Sequence, residues 1–336
     1  METIIPKALK RGDKIAFISP SARLNNILPV PLSRGKAYLE SLEYGVEIIF
    51  SSAATTTISD SVRIRCEEIH TAFRDTTISA IICTIGGSHA NELLPFLDYP
   101  LIRSNPKIFM GYSDTTFLHY AIQSQTGLRT FYGPSVLTDF SDFPKPMQFT
   151  TDHFIHMLTS EETVGPLPRS AVYAKEHSDF MFSDKLETPR EIVDSPPWRW
   201  IRKGKATGNS LCPDSWKDKI IFLESSMGDN VQLPYSVDEF RNNLVDLALS
   251  GVLNEIRGLV IGRGYKYDDS MQEELAGVVE EVFDVIVRRN CDEELPILMN
   301  VDFGHTSPFL TLPYHALVSL DGDRDEFSVL EPAVQA

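Results

Sequence analysis

Short apolar runs that alternate with helical patterns dominate the N-terminal part of the chain, and this alternation restricts the fold more than any other feature. The runs cover residues 14–21, 46–50, 80–85 and 108–110, with helical patterns between them. Strands that alternate with helices pair in parallel, because each helix crosses a face of the sheet to reach the next strand. The N-terminal part therefore predicts an α/β fold with a parallel sheet that is covered on both faces.

A second β/α pattern occupies the C-terminal part of the chain. Strand-like runs cover 219–224, 258–262 and 295–301, helical patterns cover 237–250 and 270–289, and runs at 315–320 and 326–330 predict a terminal hairpin. Between the two patterns the periodicity fades, and proline, serine and charged residues dominate. A length of 336 residues accommodates two domains. We predict an N-terminal α/β domain over 1–150, a connector over 151–205 and a smaller C-terminal β/α domain over 206–336.

Charge and cysteine content exclude several classes of protein. The 31 basic and 47 acidic residues give a net charge of −16, which opposes binding to nucleic acid or to an anionic membrane surface. The four cysteines form no CxxC pair and indicate free thiols in a reducing compartment; they are Cys66, Cys83, Cys212 and Cys291. The N-terminus has no signal-peptide pattern and no run has membrane-spanning length, so we expect a cytoplasmic protein.

A serine follows the fourth apolar run at a sharp turn. The run closes at Gly111, the polar residues up to Thr116 follow, and a helical pattern begins at Phe117. Such a strand–turn–helix corner lifts Ser113 off the end of the sheet and points the next backbone N–H groups in the same direction, as a nucleophile requires. The alternative is that Ser113 or Asp114 only caps the helix.

The glycine pair Gly86–Gly87 also follows a predicted strand. It could be no more than a tight turn that glycine tolerates. It could also bring backbone N–H groups close to a substrate, where they would stabilise a developing oxyanion. The sequence around it matches neither a phosphate-binding loop nor a dinucleotide fingerprint, and no metal-ligand spacing occurs in the chain. We therefore predict no cofactor and no metal.

A serine nucleophile needs a base and a group that orients the base. Three histidines stand at suggestive positions, His89 after the glycine pair, His305 directly after a strand, and His315 in the late strand. Glu224 ends an apolar run, where an unpaired carboxylate would be costly to bury. Its partner could be an imidazole or, alternatively, a cation such as Arg263.

Four aromatic residues lie in the predicted connector: Phe180, Phe182, Trp198 and Trp200. They could form a lid that stacks on a ring of the substrate. Simple packing is the other interpretation of aromatic residues in such a segment.

Five motifs together resemble the LD-carboxypeptidase family of serine peptidases. They are GDKIAFISPS at 12–21, IGGSHAN at 85–91, GYSDT at 111–115, FLE at 222–224 and FGHT at 303–306. The resemblance runs from about residue 7 to residue 332, and the glycine and serine motifs look like the microcin C self-immunity branch. It implies a Rossmann-like (flavodoxin-like) N-terminal domain, a C-terminal β/α domain and, usually, a homodimer.

The same resemblance implies a catalytic triad that is shared between the two domains. Ser113 would be the nucleophile, His305 the base and Glu224 the group that orients His305. The backbone N–H groups of Gly87 and Asp114 would form the oxyanion hole.

Two departures from the family pattern bear on the substrate. Residues 209–216 replace a longer segment that borders the substrate site in the family. The tryptophan that stacks on a nucleotide base in the immunity branch has no match near 185–189, although Trp198 or Trp200 could substitute. We predict that Gly86, Ser88 and Ser19 also contact the substrate.

These features predict a serine hydrolase that cleaves an amide next to a free carboxylate. Its substrate would be a peptidyl or aminoacyl adenylate-like compound or, alternatively, a murein tetrapeptide with an L–D bond. A small-ligand-binding protein that has lost catalysis is a further alternative. Hydroxyls at strand ends, those of Ser19, Ser21 and Ser88, together with backbone N–H groups, would bind the substrate carboxylate.

Overall fold

The computed structural model of the chain describes residues 2–53, 55–174, 184–210, 215–287 and 295–336. Four residues named above lie outside the described residues: Cys212, Cys291, Phe180 and Phe182. The end of the helix predicted over 270–289 also lies outside them.

The strands are β1 (Lys14–Ile18), β2 (Gly45–Ile48), β3 (Ile78–Cys83), β4 (Ile108–Gly111), β5 (Phe131–Tyr132), β6 (Thr163–Pro166), β7 (Val172–Ala174), β8 (Ile192–Asp194), β9 (Arg199–Arg202), β10 (Lys205–Ser210), β11 (Lys219–Leu223), β12 (Gly258–Gly262), β13 (Ile297–Val301), β14 (Leu312–Pro313), β15 (Leu317–Asp321) and β16 (Glu326–Pro332). The α-helices are α1 (Pro29–Ser41), α2 (Ile58–Arg74), α3 (Tyr99–Ser104), α4 (Thr116–Thr126), α5 (Gln148–Thr159), α6 (Val237–Leu249), α7 (Val252–Glu255) and α8 (Asp269–Val285). Short 3₁₀ turns cover Ala90–Phe96 and Ser113–Thr115, and a π-helical turn covers Val136–Phe140.

The first sheet has the predicted parallel α/β topology. Its strand order is β14-β5-β4-β3-β1-β2, in which β1 to β5 run parallel and β14 pairs antiparallel with β5. Without β14 this is the 2-1-3-4-5 order of flavodoxin-like folds, where ligands bind beyond the carboxyl ends of the strands near β1 and β3. The predicted fold class is confirmed.

The second sheet carries the C-terminal β/α pattern. Its order is β6-β16-β15-β10-β11-β12-β13-β9, and β10 to β13 form its parallel centre. Helices α6 and α8 bury their apolar sides on one face of this sheet. The predicted terminal hairpin is confirmed as the antiparallel pair β15 and β16.

Local signals fix where these elements begin. Ser236 caps helix α6: its hydroxyl accepts from the Glu239 backbone N–H at 3.1 Å and donates to the Glu239 carboxylate at 2.9 Å. The Thr57 side chain caps α2 by accepting from the Asp60 backbone N–H at 3.1 Å. None of the helices in the described residues is long and apolar enough to cross a membrane.

The segment predicted as a connector contains more structure than its composition indicated. Besides α5, where the sequence predicts a helix near 152–159, the described part of this segment includes four short strands, of which β6 and β9 form the two edges of the second sheet. Edge strands leave one side exposed, so β6 and β9 show no regular alternation of buried and exposed positions. The domain boundaries at 150 and 205 stay a prediction.

One core cluster joins the two sheets. It combines Phe17 and Met110 of the first sheet with Val260, Leu298 and Phe327 of the second. The opposite face of the first sheet packs against α2 and α4 through a separate cluster. The carboxyl ends of β4, β11 and β13 therefore belong to two sheets that share a single core.

Candidate active site

Ser113 occupies a strained corner between β4 and the following helical turn. It has φ +61°, although it is not a glycine. Residues other than glycine rarely adopt this left-handed region, and such strain collects at functional sites. The turn is tight enough that a Cβ on Gly111 would lie 2.6 Å from the Thr115 hydroxyl oxygen.

Ser113, His305 and Glu224 form a continuous hydrogen-bonded chain. His305 Nε2 lies 3.0 Å from the Ser113 hydroxyl oxygen, and His305 Nδ1 lies 2.7 Å from Glu224 Oε2. Both distances are within hydrogen-bond range for O–H···N and N–H···O pairs. The structure therefore brings together the three side chains that the sequence pointed to. It also excludes the alternative partner for Glu224, because Arg263 pairs with Asp302 instead.

The chain of contacts crosses between the two sheets. Ser113 follows β4 of the first sheet, while Glu224 and His305 follow β11 and β13 of the second. Gly304 fastens the His305 loop to the first sheet, since its backbone N–H donates to the Tyr132 hydroxyl at 3.0 Å. Gly304 has φ +111°, and a Cβ there would lie 3.2 Å from Glu224 Oε2.

Aromatic packing holds the imidazole from the side of the first sheet. The Tyr112 ring packs edge-on against the His305 ring with centroids 5.2 Å apart, and it also packs on Phe309 at 4.8 Å. His305 is only 5% exposed. Sequence reasoning missed Tyr112 and Tyr132, and the only available signal was that Tyr112 precedes Ser113.

A buried carboxylate connects the π-helical turn to the His305 loop. Asp139 Oδ2 accepts from the Ser135 backbone N–H at 2.9 Å and from the Thr138 hydroxyl at 2.6 Å. Its other oxygen accepts from the Ser307 hydroxyl at 3.3 Å. Burial raises the pKa of the Asp139 carboxyl to about 6, although these hydrogen bonds favour its charged form. Asp139 was not among the residues predicted from the sequence.

A second buried network supports the His305 loop from the second sheet. The Arg263 guanidinium forms an ion pair with Asp302 and donates to the Thr306 hydroxyl at 3.3 Å. It also lies 4.7 Å from the centroid of the Tyr173 ring. These groups are buried, so each charge needs its partner.

Two predicted substrate contacts are corrected by this geometry. Ser19 is fully buried, and its hydroxyl bonds with Asn25 Oδ1 at 2.9 Å and with the Thr84 hydroxyl at 2.8 Å. Trp198 is 7% exposed, and its indole N–H donates to Asp302 at 2.8 Å. Both side chains are buried and hydrogen-bonded inside the protein, so neither can contact a substrate.

The side chain of Trp200 is also held by contacts within the protein. It lies in β9 at the edge of the second sheet, it packs against the shared core, and its indole N–H donates to Asp325 at 2.7 Å. Of the other histidines, His315 bonds with the Thr3 hydroxyl at 3.0 Å, while His89 lies exposed beside the glycine pair.

The glycine pair lies against the elbow. A Cβ on Gly86 would be 2.7 Å from the Ser113 Cβ, and a Cβ on Gly87 would be 2.6 Å from the Ala22 Cβ. Gly87 has φ +134°, and both Gly87 and Ser88 are exposed. Only glycine allows this close approach of the loop to Ser113. Among the described residues, no group of three or more His, Cys, Asp or Glu side chains could hold a metal ion.

The fold and the site together describe a two-domain α/β protein with a Ser–His–Glu chain at the ends of parallel strands, an arrangement typical of hydrolases. Models of the LD-carboxypeptidase N-terminal and C-terminal domains match residues 15–133 and 204–320, respectively. The chain belongs to the LD-carboxypeptidase family, as its motifs indicated.

Alignments with related proteins cover nearly the whole chain. A carboxypeptidase-like protein of Vibrio cholerae is 32% identical, over 98% of each chain. The microcin C7 self-immunity protein MccF of Escherichia coli is 28% identical, over 98% of this chain and 96% of its own. The structure of MccF with aspartyl sulfamoyl adenosine superimposes with a TM-score of 0.86 at 26% identity, covering 99% of this chain and all of the other.

A side chain at position 86 would overlap with the side chain of Ser113. We expect Gly86→Ala to lower the free energy of unfolding by about 1–3 kcal/mol, the usual cost of overpacking. Gly277→Ala is the matched control: it lies inside α8, a Cβ there meets nothing within 4 Å, and alanine favours a helix over glycine by about 0.5–1 kcal/mol. Urea unfolding of both variants checks this, and equal stability of the two would contradict the close contact.

The raised pKa of Asp139 predicts a pH-dependent stability. Because its pKa is higher in the folded chain than the usual value of about 4, the stabilisation from its bound proton is complete below about pH 4 and is lost as the pH rises through about 6. Asp139→Asn does not titrate. Its free energy of unfolding, minus that of the wild type, should rise from pH 4 to pH 7 by at most about 3 kcal/mol. Urea unfolding across that range measures the difference, and a constant difference would show that burial does not shift the pKa.

Proposed function

We propose that the protein is a serine peptidase or amidase in which Ser113 is the nucleophile, His305 the general base and Glu224 the group that orients His305. The observation that carries this proposal is the hydrogen-bonded chain of 3.0 Å and 2.7 Å between the three side chains. The left-handed conformation of Ser113 supports it, because strain of this kind exposes a nucleophile at a strand–helix corner.

The reaction follows from the positions of the atoms. Ser113 Oγ attacks the carbonyl carbon of the scissile amide while His305 Nε2 takes the hydroxyl proton. Glu224 accepts the Nδ1–H of His305 and stabilises the imidazolium that forms. The tetrahedral intermediate collapses, His305 gives the proton to the leaving amine, and an acyl ester remains on Ser113. A water molecule then attacks this ester with His305 again as base, which releases the acid and restores Ser113.

The oxyanion of the intermediate needs hydrogen-bond donors. We assign this role to the backbone N–H groups of Gly87 and Asp114. The contact of Gly86 with Ser113 supports the assignment, since it brings the Gly87 loop beside the nucleophile. Asp114 directly follows Ser113 at the start of a helical turn, where backbone N–H groups lack helical partners.

The substrate class that we propose is a peptidyl or aminoacyl adenylate-like compound with a free carboxylate next to the scissile amide. MccF has been solved with aspartyl sulfamoyl adenosine and with glutamyl sulfamoyl guanosine, and both support this class. With Ser19 buried, the candidates for contact with the carboxylate are the exposed Ser88 hydroxyl and the backbone N–H groups of its loop. We also propose a homodimer, as the family resemblance implies, and a cytoplasmic location, which the dispersed cysteines support.

The second candidate substrate is a murein tetrapeptide. A Bacillus subtilis protein that is inferred to be a murein peptide carboxypeptidase is 25% identical, over 98% of this chain and 95% of its own. No aromatic face for a nucleotide base emerges at Trp198, which is buried and bonded to Asp302. The burial of Trp198 removes one predicted contact to a nucleotide base, a contact that a murein peptide would not need.

A fluorophosphonate probe tests the triad. We expect it to label the wild-type protein at Ser113 and to leave Ser113→Ala unlabelled. Glu224→Gln should be labelled about 10⁴-fold more slowly, because the amide cannot hold His305 in the required tautomer as a carboxylate does. Mass spectrometry of the labelled peptide gives the site and the rate. The absence of Ser113-dependent labelling would reject the triad and favour a binding protein.

The substrate carboxylate provides a second test. We expect a peptide with a free carboxylate beside the scissile amide to exceed its amidated form in kcat/KM by about 10- to 100-fold, the effect of one lost charge-assisted hydrogen bond. Turnover of aspartyl sulfamoyl adenosine, measured beside a murein tetrapeptide, separates the two substrate classes. Equal rates on the free acid and the amide would indicate a general amidase instead.

A further inference from the structure

The side chain of Asp114 reaches away from the helical turn that contains it. Its carboxylate oxygen Oδ2 accepts from the backbone N–H of Ala90 at 2.9 Å and from the hydroxyl of Ser21. An acidic residue at the start of a helix ordinarily accepts from N–H groups of the same helix. Here the two partners lie 24 and 93 residues away in sequence, in the loops that follow β3 and β1.

Residues 86–89 form a loop that we call the glycine loop. Ala90 is the first residue of the 3₁₀ turn that directly follows this loop. This loop has an uncommon backbone, since Gly87 has φ +134° and His89 has φ +74°. Arg65 supports the loop from behind: it donates to the carbonyl oxygens of His89 at 3.0 Å and of Pro20 at 3.1 Å. Among the described residues Arg65 forms no hydrogen bond to the elbow, whereas the Asp114 side chain links the end of the glycine loop, through Ala90, to the nucleophile corner.

The charge of Asp114 needs an explanation in the proposed reaction. A carboxylate one residue from the nucleophile opposes the negative charge that develops on the substrate oxygen. Two hydrogen bonds, from Ala90 and Ser21, neutralise part of that charge on the side of the glycine loop.

We propose that the Asp114 carboxylate is a positioning group that sets the separation of the Gly87 and Asp114 backbone N–H groups. Asp114 would then donate its own backbone N–H to the oxyanion, and its side chain would hold the backbone N–H of Gly87 in position. The inference rests on the proposed function, since it concerns the oxyanion hole of that reaction. Ser21 belongs to the same hydrogen-bond network, because its hydroxyl donates to Asp114 and also lies 3.3 Å from the carbonyl oxygen of Ser88.

The test compares Asp114→Ala and Asp114→Asn with a matched control. Loss of one oxyanion donor lowers kcat by about 10²–10³-fold, so we expect kcat of Asp114→Ala to fall by about 10²-fold with KM changed less than about threefold. Asparagine retains an oxygen acceptor for the Ala90 N–H, and we expect it to restore kcat at least tenfold over alanine. The control is Asp98→Ala, which removes a similar carboxylate that accepts from the Leu101 backbone N–H at 2.9 Å; its kcat should match the wild type within twofold.

The rate of fluorophosphonate labelling at Ser113 provides the second measurement, since the phosphoryl oxygen needs the same donors. Ser21→Ala keeps Asp114 but removes one of its hydrogen bonds, and it should slow labelling by about fivefold even if Asp114→Ala does not fold. Unchanged kcat in Asp114→Ala, an equal loss of kcat in Asp114→Ala and Asp98→Ala, or a kcat of Asp114→Asn no higher than that of Asp114→Ala would overturn the positioning role. A wild-type protein without Ser113-dependent labelling would instead reject the proposed function, so the two failures are distinguishable.

Discussion

The core cluster that joins the two sheets determines whether the candidate site exists at all. Ser113 follows a strand of the first sheet and His305 follows a strand of the second, so their 3.0 Å contact requires a fixed position of one sheet relative to the other. Tyr132 packs on both Phe303 and Phe309 with ring centroids 5.8 Å apart. Aromatic side chains bury large areas, and close-packed interiors resist displacement. The hydrogen bonds between Ser113, His305 and Glu224 thus depend on the packing of the shared core as well as on the three residues themselves.

Polar contacts then select one arrangement of the His305 loop within that core. The Tyr132 hydroxyl receives the Gly304 N–H from one side, and Asp139 receives the Ser307 hydroxyl from another. The ion pair of Arg263 with Asp302 lies just behind. Buried ion pairs add little net stability, but removal of one partner leaves a costly unpaired charge. These contacts therefore restrict the loop to one conformation more than they stabilise the fold.

Local signals in the sequence were sufficient for some parts of the structure and not for others. The elbow at Ser113 and the carboxylate at Glu224 followed from a change of pattern at the end of an apolar run, which is a property of neighbouring residues. Ser19 also ends such a run, yet its side chain points into the interior, and direction at a strand end depends on the whole sheet. Trp198 was assigned to a connector because edge strands such as β9 lack a regular pattern. The contact of Asp139 with the His305 loop had no local signal, since Ser307 is 168 residues away.

Strand β14 links the order of synthesis to the completion of the site. Every other strand of the first sheet is present once residue 132 has been made, but the edge beside β5 is filled only by Leu312–Pro313. A nascent chain therefore carries Ser113 on a sheet with an open edge, which is prone to pair with other chains. His305 emerges only eight residues or fewer before this edge strand. Synthesis of residues 305–313 thus supplies both His305 and the strand that closes the sheet, so a nascent chain that stops before residue 305 holds its serine without a base.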